Sequence, residues 1–111
     1  MHARVTQFTV PSEKLNDFIE ALNSAIPLMR QQNGFQALLV LRVEKSNPAD
    51  VRVMTLWETQ EALHHSENNV YFYQALARAM AFAKGFPAIR EEEVVLHDFT
   101  KAATASSAAS S

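Results

Sequence analysis

The sequence predicts an α+β domain with the ferredoxin-like order β-α-β-β-α-β. Four segments carry the alternating or branched apolar patterns typical of strands, and two longer segments repeat apolar residues at helical spacing. This order places both helices on one face of a four-stranded antiparallel sheet. A length of 111 residues and a 48% apolar content suit one globular domain.

The first strand and helix follow from residues 3–30. Residues 3–10 alternate β-branched and aromatic residues with polar ones, which predicts a strand that Pro11 ends. We expect the hydroxyl of Ser12 to cap the helix that follows. Pro27 lies on the polar side of that helix, so it is expected to bend the helix rather than end it. Gly34 tolerates the positive φ at which helices commonly stop.

The middle of the chain is a predicted β-hairpin. Strands at 35–45 and 51–58 flank the turn-forming sequence SNPAD. Thr59 is expected to cap the helix after the hairpin. The remaining predicted elements are a short helix at 60–67, a long helix at 70–84 and a last strand at 89–99.

The composition indicates the domain boundaries and excludes several classes of function. Residues 1–100 form the predicted domain, and the Ala/Ser-rich residues 101–111 form a predicted flexible tail. The absence of cysteine excludes disulfides, a thiolate nucleophile and cysteine-ligated metal centres. A net charge of −2 with ten scattered basic residues argues against nucleic acid or a membrane surface as partner. Without an apolar stretch or a signal sequence, the expected location is cytoplasmic.

The predicted hairpin is apolar on both faces, although two helices can cover only one. Leaving the second face in water costs about 25 cal/mol per Å² of apolar surface. We therefore expect a homodimer that forms through the open sheet face; the alternative is that the tail or a loop covers it. In the second strand Phe35, Ala37, Leu39, Leu41 and Val43 are expected on one face, and Leu38 and Val40 on the other.

Several side chains are candidates for a pocket wall. Trp57 ends a strand and has an N–H group to satisfy, although anchoring the core would also explain it. The long helix carries two aromatic stripes beside alanines that leave room, which also suits an ordinary core. His64 and His65 point about 100° apart on one helix and are not a metal pair, so no metal site is predicted. The stripe expected to face the core is Phe72, Tyr73, Leu76, Ala79, Met80 and Ala83, and a second stripe beside it is Tyr71, Ala75, Arg78 and Phe82.

The stretch VMTLWETQEAL at 53–63 is similar to one found in antibiotic biosynthesis monooxygenase-like proteins. Their strand ends in Trp-Glu-Ser/Thr and leads into a Glu-Ala-Leu helix, Phe72 stands at the family's spacing from Trp57, and NGF at 33–35 enters the second strand. On these residues the chain resembles that family of small dimeric α/β-barrel proteins over about residues 2–99.

The resemblance implies a small monooxygenase that acts on an aromatic, quinol or enol compound with no metal, flavin or haem cofactor. Such a reaction needs an apolar pocket, one base and donors aimed at an oxyanion. In this sequence the implied base is His65, and the implied donors are Trp57 and Tyr73. The implied substrate-binding residues are Asn69, Tyr71, Phe72 and Arg78.

Two other functions remain open at this point. One is a non-catalytic dimer of the same fold that binds a small ligand. The other is a haem-binding or haem-degrading relative, which would carry a histidine on the long second helix. The sequence has no histidine between Ser66 and Leu96.

Overall fold

The computed structural model describes residues 1–99 and confirms the predicted ferredoxin-like α+β fold. Its four strands form one antiparallel sheet in the order β2-β3-β1-β4. No helix within these residues is long and apolar enough to cross a bilayer. The predicted tail at 101–111 lies outside the described residues. The elements are β1 (His2–Val10), a 3₁₀ turn (Ser12–Lys14), α1 (Leu15–Arg30), β2 (Phe35–Arg42), β3 (Ala49–Trp57), α2 (Gln60–Ser66), α3 (Val70–Met80) and β4 (Ala88–Glu93).

The main core lies between the sheet and the helices α1 and α3. Side chains alternate along a strand, so β1 presents every second residue to the helices. Phe8 of β1 meets Phe18 of α1 edge to face, with 4.9 Å between ring centroids. The buried residues of this core are Phe8, Val10, Phe18, Leu22, Ala49, Val51, Val53 and Ala79.

Among residues 1–99, the opposite face of the sheet is covered at one end only. There Ala3, Val5 and Leu56 are buried, and Met1 and Val94 pack against them. The chain after β4 therefore covers part of this face through Val94. Towards β2 the face is open, with 43 to 47% of each apolar residue exposed. These residues are Leu39, Leu41 and Val43.

Phe35 does not share a face with Ala37, contrary to the prediction. A break in register between Phe35 and Ala37 inserts an extra residue into β2, which turns Phe35 to the helix side. Phe35 packs there against Ala25 and Met29 of α1, and its ring lies 5.4 Å from that of Trp57. Strict alternation held from Ala37 onward but could not locate the bulge.

The start of α1 also differs from the prediction. Ser12 does not cap the helix, because it lies in the 3₁₀ turn and its hydroxyl donates to Asn47 Oδ1 at 2.7 Å. The helix does continue through the exposed Pro27, as predicted. The cap of α2 is confirmed, since the Thr59 hydroxyl accepts a hydrogen bond from the backbone N–H of Ala62 at 3.0 Å.

The elements α3 and β4 both end earlier than predicted, for reasons that involve β1. The helix α3 ends at Met80, and the following turns bring the Lys84 N–H to the carbonyl of Thr9, 2.7 Å away. The strand β4 ends at Glu93 because that residue pairs with His2, where its partner β1 begins. The local sequence propensities predict neither the end of α3 nor the end of β4.

Gly34 lets the turn after α1 pack closely against α2, which makes a test of the fold possible. Its φ is +80°, and a Cβ there would lie 2.6 Å from Cβ of Ala62. Gly34→Ala is expected to lower the free energy of unfolding by about 2 to 4 kcal/mol, from backbone strain and overpacking together.

Gly85→Ala is the matched control, since Gly85 has φ +74° but no atom within 4 Å of the added Cβ. It should lose only the backbone contribution of about 1 to 2 kcal/mol. Urea unfolding of both variants measures the difference, and equal losses would contradict the close packing of the turn against α2.

Candidate functional site

A small cavity lies between the sheet and the helices α1 and α3. Its volume of about 60 Å³ is below the roughly 300 to 1,000 Å³ of typical ligand pockets. The outer wall is α3, whose lining residues Phe72, Ala75 and Leu76 are partly exposed. A ring-sized ligand must therefore move side chains of α3 to enter. The lining consists of Arg4, Thr6, Phe8, Leu22, Met29, Val53, Thr55, Tyr71, Phe72, Ala75, Leu76 and Ala79.

Arg4 is the one charged residue in this lining, and only 4% of it is exposed. A buried charge is costly unless it is paired and hydrogen-bonded. The guanidinium Nε donates to Glu67 Oε2 at 3.1 Å, and Nη2 lies 3.0 Å from the same oxygen. Nη2 also donates to the carbonyl of Leu63 at 3.1 Å and to Ser66 Oγ at 3.3 Å. These contacts offset the cost of holding the charge inside.

The end of α2 supplies the partners of Arg4. The last carbonyls of a helix lack intrahelical partners and favour a cation, and Arg4 uses one of them at Leu63. From the other side the ring of Phe72 lies over the guanidinium, 4.5 Å from carbon to centroid. Arg4 of β1 thus contacts both α2 and α3 at the edge of the cavity.

Tyr71 adds a hydroxyl to the cavity. Burial raises the pKa of this hydroxyl, while a hydrogen bond with Ser66 and the charge of Arg4 oppose the rise. The net shift is upward from a value near 10, so Tyr71 stays protonated at neutral pH. Thr6 and Thr55 contribute the other lining hydroxyls.

A second polar cluster lies beside the cavity and outside its lining. His64 Nε2 is 2.8 Å from both carboxylate oxygens of Glu91, and this hydrogen bond lowers the pKa of Glu91. The possible ligand atoms of His64, Glu67 and Glu91 lie within 4.8 Å of one another. Each carboxylate already has a partner, Arg4 for Glu67 and His64 for Glu91. Glu91 therefore joins β4 to α2.

Of the seven predicted site residues, Tyr71 and Phe72 line the cavity. Trp57 is fully buried and does not line the cavity. Its indole N–H donates to Thr55 Oγ1 at 3.0 Å. Asn69 reaches away to the turn after α1, where its amide donates to Gln32 Oε1 at 2.8 Å.

The other three predicted site residues are exposed and do not line the cavity. Tyr73 is 61% exposed, and Arg78 lies on the outer side of α3. His65 borders an open surface groove with Asn33 and Glu61. The structure therefore does not bring the seven residues together within one subunit, and their roles stay predictions.

The buried side of α3 is turned relative to the predicted stripe. It is centred on Tyr71, Ala75 and Ala79, and Tyr73 is left outside. The contacts of Phe72 with Arg4 and of Tyr71 with Ser66 favour this rotation. Helical spacing alone could not distinguish the two adjacent stripes.

Sequence reasoning missed Arg4 and its partners. One signal was present, because alternation along β1 puts Arg4 and Thr6 in the same row as Phe8 and Val10, the row expected to face the helices. A charged residue that faces the helices is buried, so the surrounding residues must supply hydrogen bonds and an opposite charge. The other residues missed are Thr55, Ser66 and Glu67.

The chain was compared with family models, curated proteins and solved structures. The family model described as antibiotic biosynthesis monooxygenase matches residues 1–78, and no curated protein sequence matches the chain. The solved structure of SnoaB, a cofactor-independent oxygenase from Streptomyces nogalater, superposes with a TM-score of 0.72 at 14% identity, over 86% of this chain and 94% of that one.

Two further solved structures show the same fold. A Caulobacter crescentus protein, provisionally described as an antibiotic biosynthesis monooxygenase, has a TM-score of 0.73 at 20% identity, over 86% of this chain and 90% of that one. A conserved protein from Methanosarcina mazei has a TM-score of 0.70 at 17% identity, over 83% and 91%. At these identities the likeness concerns the fold alone.

Proposed function

Because the chain belongs to the antibiotic biosynthesis monooxygenase family, we propose that it oxygenates a small aromatic, quinol or enol compound without a bound cofactor. The observation that carries this proposal is the cavity beneath α3, with apolar walls and a few polar groups. SnoaB, whose fold is similar, is described as a cofactor-independent oxygenase. The substrate is expected to bind between the sheet and α3.

The proposed reaction converts an activated CH₂ group and O₂ into a carbonyl group and water. The substrate first loses a proton, and its anion passes one electron to O₂. The substrate radical and superoxide combine to form a C–O bond, and the peroxide takes up a proton. Loss of the remaining proton from that carbon breaks the O–O bond, and hydroxide leaves as water. Apolar walls that exclude water strengthen each polar contact to the anion.

The cavity residues divide into two groups for this chemistry. Phe72 and the aliphatic residues around it would hold the ring, while Tyr71 and Thr55 would offer hydroxyl groups. Trp57 would act by orienting Thr55, to which its N–H donates. The roles predicted for His65 as base and for Tyr73 as donor stay predictions, since neither lines the cavity of its own subunit.

We also propose that two copies of the chain associate through the open sheet face. Leu39, Leu41 and Val43 form an apolar strip at the β2 side of that face. Covering such a strip stabilises by about 25 cal/mol per Å². A dimer formed in this way leaves the cavity of each subunit on its far side, beneath the helices.

Leu39→Glu should weaken the dimer at least about tenfold, because a charge would be buried in the interface. Leu28→Glu is the matched control, since Leu28 has the same 43% exposure but lies on α1, away from the open face. Sedimentation equilibrium at micromolar concentration measures both. A monomeric wild type, or equal effects of the two substitutions, would contradict the proposed interface.

Ala75→Phe should reduce O₂ consumption at least about tenfold in a screen of quinols and acidic enols, because the added ring fills the cavity. Ala77→Phe adds the same ring on the exposed side of the same helix and should leave the rate unchanged. An oxygen electrode gives the rate, and thermal melting establishes that both variants fold.

The same screen decides between oxygenation and ligand binding alone. Binding of these compounds that Ala75→Phe abolishes, with no O₂ consumption by the wild type, would replace the oxygenase by a non-catalytic binding protein. O₂ consumption that is equal in the two alanine variants would show that the reaction takes place outside this cavity.

A further inference from the structure

The cavity holds an arginine but no base. Within the part of the chain that the structure describes, its only ionisable lining residues are Arg4 and Tyr71. The guanidinium stays charged, and burial raises the pKa of the Tyr71 hydroxyl, so it stays protonated. Neither group can accept a proton from a substrate at neutral pH. This arrangement suits a ligand that carries its negative charge when it enters.

We propose that Arg4 binds the ionised oxygen of the substrate, and that the site therefore selects acidic enols and hydroxyquinoid compounds that are anions at neutral pH. The inference rests on the proposed function for the class of substrate. An ionised enol shares its charge with the adjacent carbon, so no protein base is needed before electron transfer to O₂. Arg4 is then a catalytic residue that touches the reacting anion.

The hydrogen bonds of Arg4 leave one end of its guanidinium free. Glu67 takes the edge formed by Nε and Nη2, and Nη2 also reaches Leu63 and Ser66. Among residues 1–99, Nη1 has no hydrogen-bond partner, although Arg4 lines the cavity. A guanidinium carries five N–H donors, and the two on Nη1 are available to an oxyanion.

The surrounding charges set the strength of this contact. Glu67 is a competing carboxylate, but about a third of its side chain is exposed, which screens its charge. Glu91, paired with Arg4 across β1 and β4, is hydrogen-bonded to His64 and lies outside the cavity lining. From α3, Tyr71 presents an uncharged hydroxyl. No carboxylate lines the cavity itself.

Phe72 shows which ligand shape the guanidinium accepts. Its ring lies over the Arg4 guanidinium at 4.5 Å, and it is partly exposed at the outer wall. A planar ligand can take this position by displacing the ring, because a guanidinium stacks on aromatic faces. The geometry therefore favours flat, conjugated anions over compact ones such as phosphate.

Calorimetric titration with a matched pair of probes tests the assignment at pH 7. The probes are 2-hydroxy-1,4-naphthoquinone, which is ionised at this pH, and 2-methoxy-1,4-naphthoquinone, which has the same rings but cannot ionise. Wild-type protein should bind the anion at least about tenfold more tightly than the ether. Arg4→Met should remove this preference. Arg90→Met should keep it, since Arg90 lies on the exposed strand β4.

Glu67→Gln provides a second measurement that does not remove the buried guanidinium. It takes away the competing carboxylate and keeps an oxygen acceptor for Arg4, so the anion should bind several-fold more tightly. Equal binding of the two probes by wild type, binding of neither, a preference that survives Arg4→Met, or weaker anion binding by Glu67→Gln would each overturn the proposal.

The outcomes separate this inference from the proposed function. A preference for the anion without any O₂ consumption would remove the oxygenase and leave Arg4 as an anion-binding residue. O₂ consumption without a preference for the anion would keep the oxygenase and remove the role of Arg4.

Discussion

The structure depends on a positive charge held between the sheet and its helices. Arg4 is buried in β1 and needs several partners to offset the loss of water. The last turn of α2 supplies a carbonyl and a hydroxyl, Glu67 supplies the opposite charge, and the Phe72 ring covers the guanidinium. One residue thus links β1, α2 and α3.

The architecture around this charge explains where a small ligand fits. Small side chains at Ala75 and Ala79 keep α3 from filling the space above Thr6 and Thr55. The walls are otherwise aliphatic or aromatic, so a polar contact made there is stronger than in water. The cavity lies on the helix side of the sheet, and the apolar strip of β2 lies on the other. The proposed ligand site and the proposed interface between subunits therefore lie on different faces of the sheet.

Much of the fold could be predicted because it follows from residue patterns with a fixed period. Alternation located the strands, the 3.6-residue period located α1 and α3, and the hydroxyl of Thr59 marked the start of α2. The bulge beside Phe35 and the end of β4 at Glu93 depend on pairing with other strands. Information of that kind is absent from a local pattern.

The site was harder to predict because it depends on side-chain rotation and on contacts distant in sequence. Tyr71 and Phe72 were identified as aromatic residues of the right helix, but Tyr73 was equally eligible until the rotation of α3 was known. Arg4 and Glu67 are 63 residues apart in the chain, and the local sequence around either residue does not predict that they pair. The burial of Arg4 was the signal to follow, since a charge in a helix-facing row requires a partner.

The central claim is that the free edge of the Arg4 guanidinium faces a ligand anion within the cavity. Arginine side-chain ¹⁵N NMR, with the signal of Arg4 assigned from its loss in Arg4→Met, tests it most directly. On addition of 2-hydroxy-1,4-naphthoquinone, the account predicts that the Arg4 Nη protons shift and exchange more slowly with water, while the other arginines are unchanged. An unchanged Arg4 signal at saturating ligand would contradict it.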